Sequence, residues 1–439
     1  MDLVLFATTP QSDARYRARA AELCRATPAT IRGVVATPIP IDVEERANQR
    51  NAVLAGFLGW TLDAFDFFIL VFVLVPVAHD FGRSVPAIAL TITASLAMRP
   101  VGAFIFGLLA DRFGRRNLLI SNILFYSTLE VLSGLAPNYS VFLGLRLLYG
   151  VGMGGEWGVG ASLALESVPA KWRGLLSGML QEGYALGYLL AAIAYALVFP
   201  YVGWRVMFFI GGLPGLLSLF VIVRVKESKA WQESRTDWAT YRKAIFAHRK
   251  LFLYLVALMA MMNFISHGTQ DMYPTFLRVQ RHFSIQATSL VTIVSMVGAI
   301  AGGLFFGLCS DRFGRKRAMV AAVLVAFLTI PFWLLGSTVA LVVLGAFVMQ
   351  FMTQGAWGVI PAHLNELSPG QLRAFFPGFA YQLGVLIASS VGYVEAVLAQ
   401  HFSYAAAMGY LAAGLFLITA VVIGVGPEAR GVEFGGGRK

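Results

Sequence analysis

Long apolar runs alternate along the chain with short polar breaks, and their length fits a bilayer better than a soluble core. A helix crossing a hydrocarbon layer of about 30 Å needs about 20 apolar residues. Runs of that order recur twelve times, over residues 52–78, 86–109, 117–136, 140–165, 173–198, 203–224, 251–275, 288–309, 317–337, 339–365, 374–399 and 403–425. The two-residue alternation of a membrane barrel is absent, so the pattern predicts an all-α polytopic membrane protein. The longest interior polar stretch, Arg224 to Lys250, divides six runs from six and carries eight Lys or Arg. It reads as a linker lying against lipid headgroups. The expected organisation is a tail over 1–50, a six-helix bundle over 51–224, a linker over 225–250, a second bundle over 251–425 and a tail over 426–439.

Composition agrees. Of 439 residues, 58% are apolar and 13% charged, and the mean hydropathy is +0.71. These values exclude a disordered chain, a coiled coil and a disulfide scaffold. Cys24 and Cys309 lack any metal or disulfide spacing, and neither a metal nor a cofactor is expected. A net charge of +11 would suit nucleic acid if it formed one patch. Instead the basic residues recur between apolar runs, so lipid is the expected partner and nucleic acid is not.

With the N-terminus in the cytoplasm, 28 of the 34 Lys and Arg lie on the cytoplasmic side; Arg83, Arg205, Arg278 and Arg281 lie opposite, and Arg99 and Arg146 lie within runs. That bias predicts a multi-pass protein of the cytoplasmic (inner) membrane with both termini inside. Met1–Ala7 is too short for a signal-peptide core and its arginines follow it, so residues 1–50 are expected to be a mobile tail.

The chain also repeats itself. Phe106-Gly107-Leu108-Leu109-Ala110-Asp111-Arg112-Phe113-Gly114-Arg115-Arg116 returns 200 residues later as Phe306-Gly307-Leu308-Cys309-Ser310-Asp311-Arg312-Phe313-Gly314-Arg315-Lys316, with eight identities in eleven. Trp157, Glu166, Pro169 and Arg173 return as Trp357, Glu366, Pro369 and Arg373, so the unit of duplication is six helices. Asp111, Arg112, Arg115 and their copies Asp311, Arg312 and Arg315 sit where span meets cytoplasm. There they are expected to act as a gate by pairing with neighbouring helix ends. Glu166 and Glu366 are expected to pair with Arg112 and Arg312.

The doubled motif, with Arg146-Leu147-Leu148-Tyr149-Gly150-Val151-Gly152-Met153-Gly154 on span four, resembles the signatures of the major facilitator superfamily. The resemblance implies a secondary transporter of two rocking six-helix bundles, working as a functional monomer.

Ionisable groups at mid-membrane are costly and therefore candidates for function. Asp63, Asp66, Arg99, Glu130, Arg146, Glu156, Glu182, His267, Asp271 and Glu395 qualify. On span seven Asn263, His267, Gln270 and Asp271 share one helical stripe, and His267 with Asp271 is suited to carry a proton. Pro274 removes a backbone bond near Gln270 and predicts a kink. Arg99, whose repeat counterpart is Ala299, suits a carboxylate fork; an ion pair with Asp63 or Asp66 is the structural alternative. Asp63 and Glu156 are further candidates for proton coupling. Arg146 has either Glu130 or Glu156 as a partner. On span five Gln181, Glu182, Tyr184 and Tyr188 bring polar groups toward the axis.

The string Asn263, Ser266, His267, Thr269, Gln270, Asp271 and Thr275 resembles the seventh span of lactate and pyruvate:proton symporters. Gly59 to Phe68 is similar to the first span of the wider sialate:proton symporter group. This implies transport of a small monocarboxylate with a proton, Arg99 being helped by Asn263, Gln270, Gln382 and Tyr184. Lactate permeases are expected to carry asparagine where Val385 stands. Sialate or another organic acid is the rival substrate, and a non-transporting sensor the rival class. Catalytic triads, nucleotide loops and metal clusters are missing, so no enzymatic activity is expected.

Overall fold

The computed structural model describes residues 43–234 and 237–434, and the described residues are helical and contain no strand. Most of the expected N-terminal tail lies outside them. Its last residues, from Val43, are already helical and continue into the first span.

Among the described residues, twelve spans are built from seventeen helices. Span one is α1 (Val43–Phe72) with α2 (Leu74–Asp80); spans two to four are α3 (Val85–Phe113), α4 (Arg115–Gly134) and α5 (Tyr139–Glu166). Span five is α6 (Arg173–Gln181) with α7 (Gly183–Leu197), and span six α8 (Phe199–Ile210) with α9 (Gly215–Arg224). The linker folds as α10 (Lys229–Ser234) and α11 (Trp238–Ala247). The second half follows with α12 (Arg249–Gln270) and α13 (Tyr273–Val279), then α14 (Ile285–Phe313), α15 (Arg315–Leu335) and α16 (Val339–Leu367). It ends in α17 (Phe375–Ala388), α18 (Val391–His401) and α19 (Tyr404–Val425).

Seven of these are long and apolar enough to cross a bilayer unaided, and α8 with α9 forms an eighth span bent by 41°. The other spans are broken or carry buried charge; the polar groups face neighbouring helices while apolar side chains such as Leu328, Val421 and Val425 stay exposed for lipid. The kink expected at Pro274 is present as an interruption at Asp271–Met272, with Pro274 in the first turn of α13.

Two devices turn the chain at the end bearing the repeated motif. Gly114 (φ 115°) and Gly314 (φ 100°) join α3 to α4 and α14 to α15 in a backbone region that favours glycine. The freed amides of the following helix are accepted by acids from elsewhere: Arg115 and Arg116 N–H by Glu227, each at 3.2 Å, and Arg315 and Lys316 N–H by Glu428 at 3.2 and 3.0 Å. Burial lifts the Glu227 carboxyl above its ordinary value, opposed by the amides it accepts and by Arg115.

From Ala47 onward the chain is one compact unit. Its halves meet where α17 packs on α3 and α5, and where α6 packs on α14 and α16. The second segments of the same spans stay in their own halves: α7 packs on α8, and α18 on α12 and α19. Contact between halves is thus concentrated at the motif end.

Candidate functional site

Arg99 is placed by a helix crossing. α3 and α5 approach so closely that a Cβ on Gly154 would lie 1.9 Å from the Arg99 carbonyl oxygen, which only glycine permits. The guanidinium is 5% exposed, its Nε and Nη2 lack hydrogen-bond partners, and it lies 6.0 Å from the Trp60 ring. It interacts electrostatically with Asp63 on α1 and Glu156 on α5, whose carboxylates also lack hydrogen bonds. Arg146 is differently occupied. It pairs with Glu130 at 2.7 Å, donates to Ser133 at 2.6 Å and lies over Tyr149 at 4.2 Å, so of its two candidate partners it takes Glu130.

An aromatic cluster adjoins Arg99 through Trp60. Tyr381 on α17 meets Trp157 at 4.7 Å, Trp357 at 5.8 Å and Trp60 at 6.3 Å. Tyr184 stacks on Trp60 at 5.5 Å. The neighbouring Gln382 is buried with its amide unpartnered. Aromatic faces beside an unpaired guanidinium suit an organic anion of modest size.

The α12 stripe divides in two. Asn263 donates to Met259 O at 2.8 Å, Gln270 donates to Gln350 at 2.8 Å, and Ser266 accepts from Gln354 at 2.9 Å. These bonds tie α12 to itself and to α16. His267 and Asp271 instead pair with each other at 3.3 Å and leave 44% and 46% of their side chains exposed. Gln350 and Gln354 were not among the sequence candidates. The signal was available, because they replace Gly150 and Gly154 in the repeat.

At the motif end the repeat acts across the halves. Asp111 accepts the Ala374 and Phe375 N–H groups opening α17 at 3.0 and 2.9 Å. Asp311 accepts those of Gly174 and Leu175 opening α6 at 3.1 and 3.3 Å. A carboxylate at a helix start meets its unsatisfied donors and its positive dipole end. Arg115 pairs with Asp111 at 3.0 Å and Glu166 at 3.1 Å; Arg315 pairs with Asp311 at 2.8 Å and grips Glu366 with two bonds at 2.9 Å. Arg373 reaches Glu166 at 3.2 Å and Arg173 reaches Glu366 at 3.8 Å, both between halves. The expected pairing of Glu166 with Arg112 and Glu366 with Arg312 is therefore corrected. Helical rotation turns position 112 away from the interface, where Arg112 lies 6.0 Å from the Trp238 ring, and Arg312 is exposed.

Comparison with known proteins identifies the family and the fold. The model of the family described as Major Facilitator Superfamily matches residues 56–302 and 272–436. A carboxylic acid transporter protein homolog of Saccharomyces cerevisiae is 29% identical over 89% of this chain and 70% of its own length. The sialic acid transporter NanX of Escherichia coli is 30% identical over 84% of this chain and 91% of its own. The solved proton:xylose symporter XylE superposes with a TM-score of 0.70 at 18% identity, covering 89% of this chain and 98% of that one, a likeness of fold alone.

Proposed function

We propose that this chain, which belongs to the major facilitator superfamily and is a membrane transporter, carries a small organic monocarboxylate such as lactate or pyruvate together with a proton. Arg99 carries the reading: a buried guanidinium with two unpartnered nitrogens, beside aromatic rings and two unpaired acids. A single such cation favours one carboxylate over two. The acids named in the two relatives above support the substrate class.

In the proposed cycle Arg99 takes the carboxylate, with Tyr184, Asn263, Gln270 and Gln382 completing the cradle. Asp271 with His267 takes a proton from water, and Asp63 and Glu156 serve as proton acceptors nearer the axis. Both ligands neutralise charge that would otherwise be stranded as the site closes, and this couples them. The motif-end ion pairs then break and the bundles, 51–224 and 251–425, rock about the site in a monomer of the inner membrane with both termini cytoplasmic. No cofactor enters the scheme.

Counterflow of labelled lactate, pyruvate and sialate in proteoliposomes, with and without a pH gradient, tests it. Asp271→Asn is expected to lose gradient-driven accumulation while exchange persists. Unchanged uphill uptake removes Asp271 from coupling, and sialate counterflow without lactate counterflow transfers the substrate to the larger acid.

A further inference from the structure

Glu395 stands outside the scheme above, and its surroundings differ from those of Asp63, Asp66, Glu130 and Glu156. It lies on α18 just beyond the interruption at Ser389–Ser390, is 1% exposed, and neither carboxylate oxygen has a hydrogen-bond partner. In the N-terminal half a cation stands near four of the buried acids: Arg99 for Asp63 and Glu156, Arg146 for Asp66 and Glu130.

Among the described residues, the helices packed on α18 supply Glu395 with no such cation. α19 has no charged residue, its titratable groups being the hydroxyls of Tyr404 and Tyr410. α12 presents Gly268, at which a Cβ would lie 3.7 Å from Glu395 Oε1, and then Asp271, with which Glu395 interacts electrostatically. His267 is one step further, at 3.3 Å from Asp271. An acid buried without cation or amide donor binds a proton in preference to holding charge, and two neighbouring carboxylates do not readily ionise together. The repeat counterparts Tyr195 and Val71 are neutral, so the fold itself does not require this pair.

We propose that Glu395 is a proton-binding residue of the transport cycle that exchanges one proton with Asp271. The proposal rests on the symport reading and deepens it. In the loading step the O–H bond of protonated Asp271 breaks and an O–H bond forms on Glu395. Negative charge moves from the buried carboxylate to the half-exposed one, where water and the His267 ring receive it. Each acid adjoins a helix interruption, Asp271–Met272 or Ser389–Ser390, so bending of either span changes their separation and gates the exchange.

Wild type, Glu395→Gln and Glu395→Asp are compared in proteoliposomes for lactate counterflow and for accumulation driven by a pH gradient. Glu395→Gln is expected to lower accumulation about tenfold or more while counterflow persists; Glu395→Asp is expected to restore accumulation with a displaced pH profile. Wild-type accumulation in Glu395→Gln overturns the proposal, as does equal loss of both activities in both variants. A wild type that fails to exchange lactate strikes the monocarboxylate reading alone. Glu395 is then judged without substrate, by the infrared carbonyl band of a protonated carboxyl at neutral pH: its loss in Glu395→Gln sustains the proposal and its persistence overturns it.

Discussion

The two halves share one plan at the motif end and depart from it in the membrane interior. Asp111, Arg115, Glu166 and Glu227 have working counterparts in Asp311, Arg315, Glu366 and Glu428, engaged in equivalent bonds. Deeper in, six charged residues of the first half, Asp63, Asp66, Arg99, Glu130, Arg146 and Glu156, have as repeat counterparts Asn263, Ser266, Ala299, Ile330, Ala346 and Ala356. Helix ends need partners in both halves alike, and so the duplicated chemistry was kept there. A bound molecule without twofold symmetry makes no such demand, which leaves the interior free to differ.

The largest test of that contrast is Arg99→Ala. It should weaken carboxylate binding about a hundredfold, as expected for one partner of a buried charge contact. Ala299→Ser should change it little. Titration of purified protein with lactate measures both, and equal effects would break the contrast.

Next comes the packing difference. Gly154→Ala forces α3 and α5 apart at the Arg99 carbonyl and is expected to cost about 2 kcal/mol or more, visible as a lowered thermal midpoint. Gln354→Ala, at the matching position of the second half, removes only a side-chain bond to Ser266 and should cost about 1 kcal/mol. Equal costs would show that the two crossings are built alike.

The proposed gate should respond more evenly. Asp111→Asn and Asp311→Asn each weaken a carboxylate cap on a helix of the other half, shifting the motif-end equilibrium toward open by about tenfold. Labelling of a cysteine placed behind the gate reports the shift. Asp111 should show the larger effect, because it also accepts from Tyr241 at 3.3 Å and is more deeply buried than Asp311.

The smallest effect belongs to the linker, which has no counterpart in the repeat. Asp237 caps α11 through Ala239 and Thr240 N–H at 2.8 and 3.0 Å, and its bonds to the Thr240 amide and hydroxyl hold its carboxyl below the ordinary value of 3.8. A depressed acid stabilises the fold fully above its unfolded pKa, and the benefit disappears as the pH falls through the lower folded value. Amide exchange in α11 should therefore rise only under acid conditions, and Asp237→Ala should remove that dependence.

Much of this was legible before any coordinates. The spans and the duplication follow from run length and an exact offset, and the family resemblance from the doubled motif and the span-four motif, all of which local sequence carries. Pro274 foretold a break because a missing N–H acts locally. Partner choice was another matter. Sequence alone pairs Glu166 with Arg112, yet the start of α4 delivers Arg115. The span-seven stripe reads from sequence as one polar face, yet Gln350 from α16 occupies part of it. Glu395 drew notice as a buried acid, but its neighbour Asp271 lies 124 positions earlier in the chain.

Hydrophobic length and repetition settle how many times the chain crosses and which positions are equivalent, since those depend on distances measured along a helix. Which charge meets which, and which is left without a partner, was decided only when helices from opposite halves came together. Ion pairing and hydrogen bonding act over a few ångströms in space, and neighbours at that range come from opposite ends of the sequence.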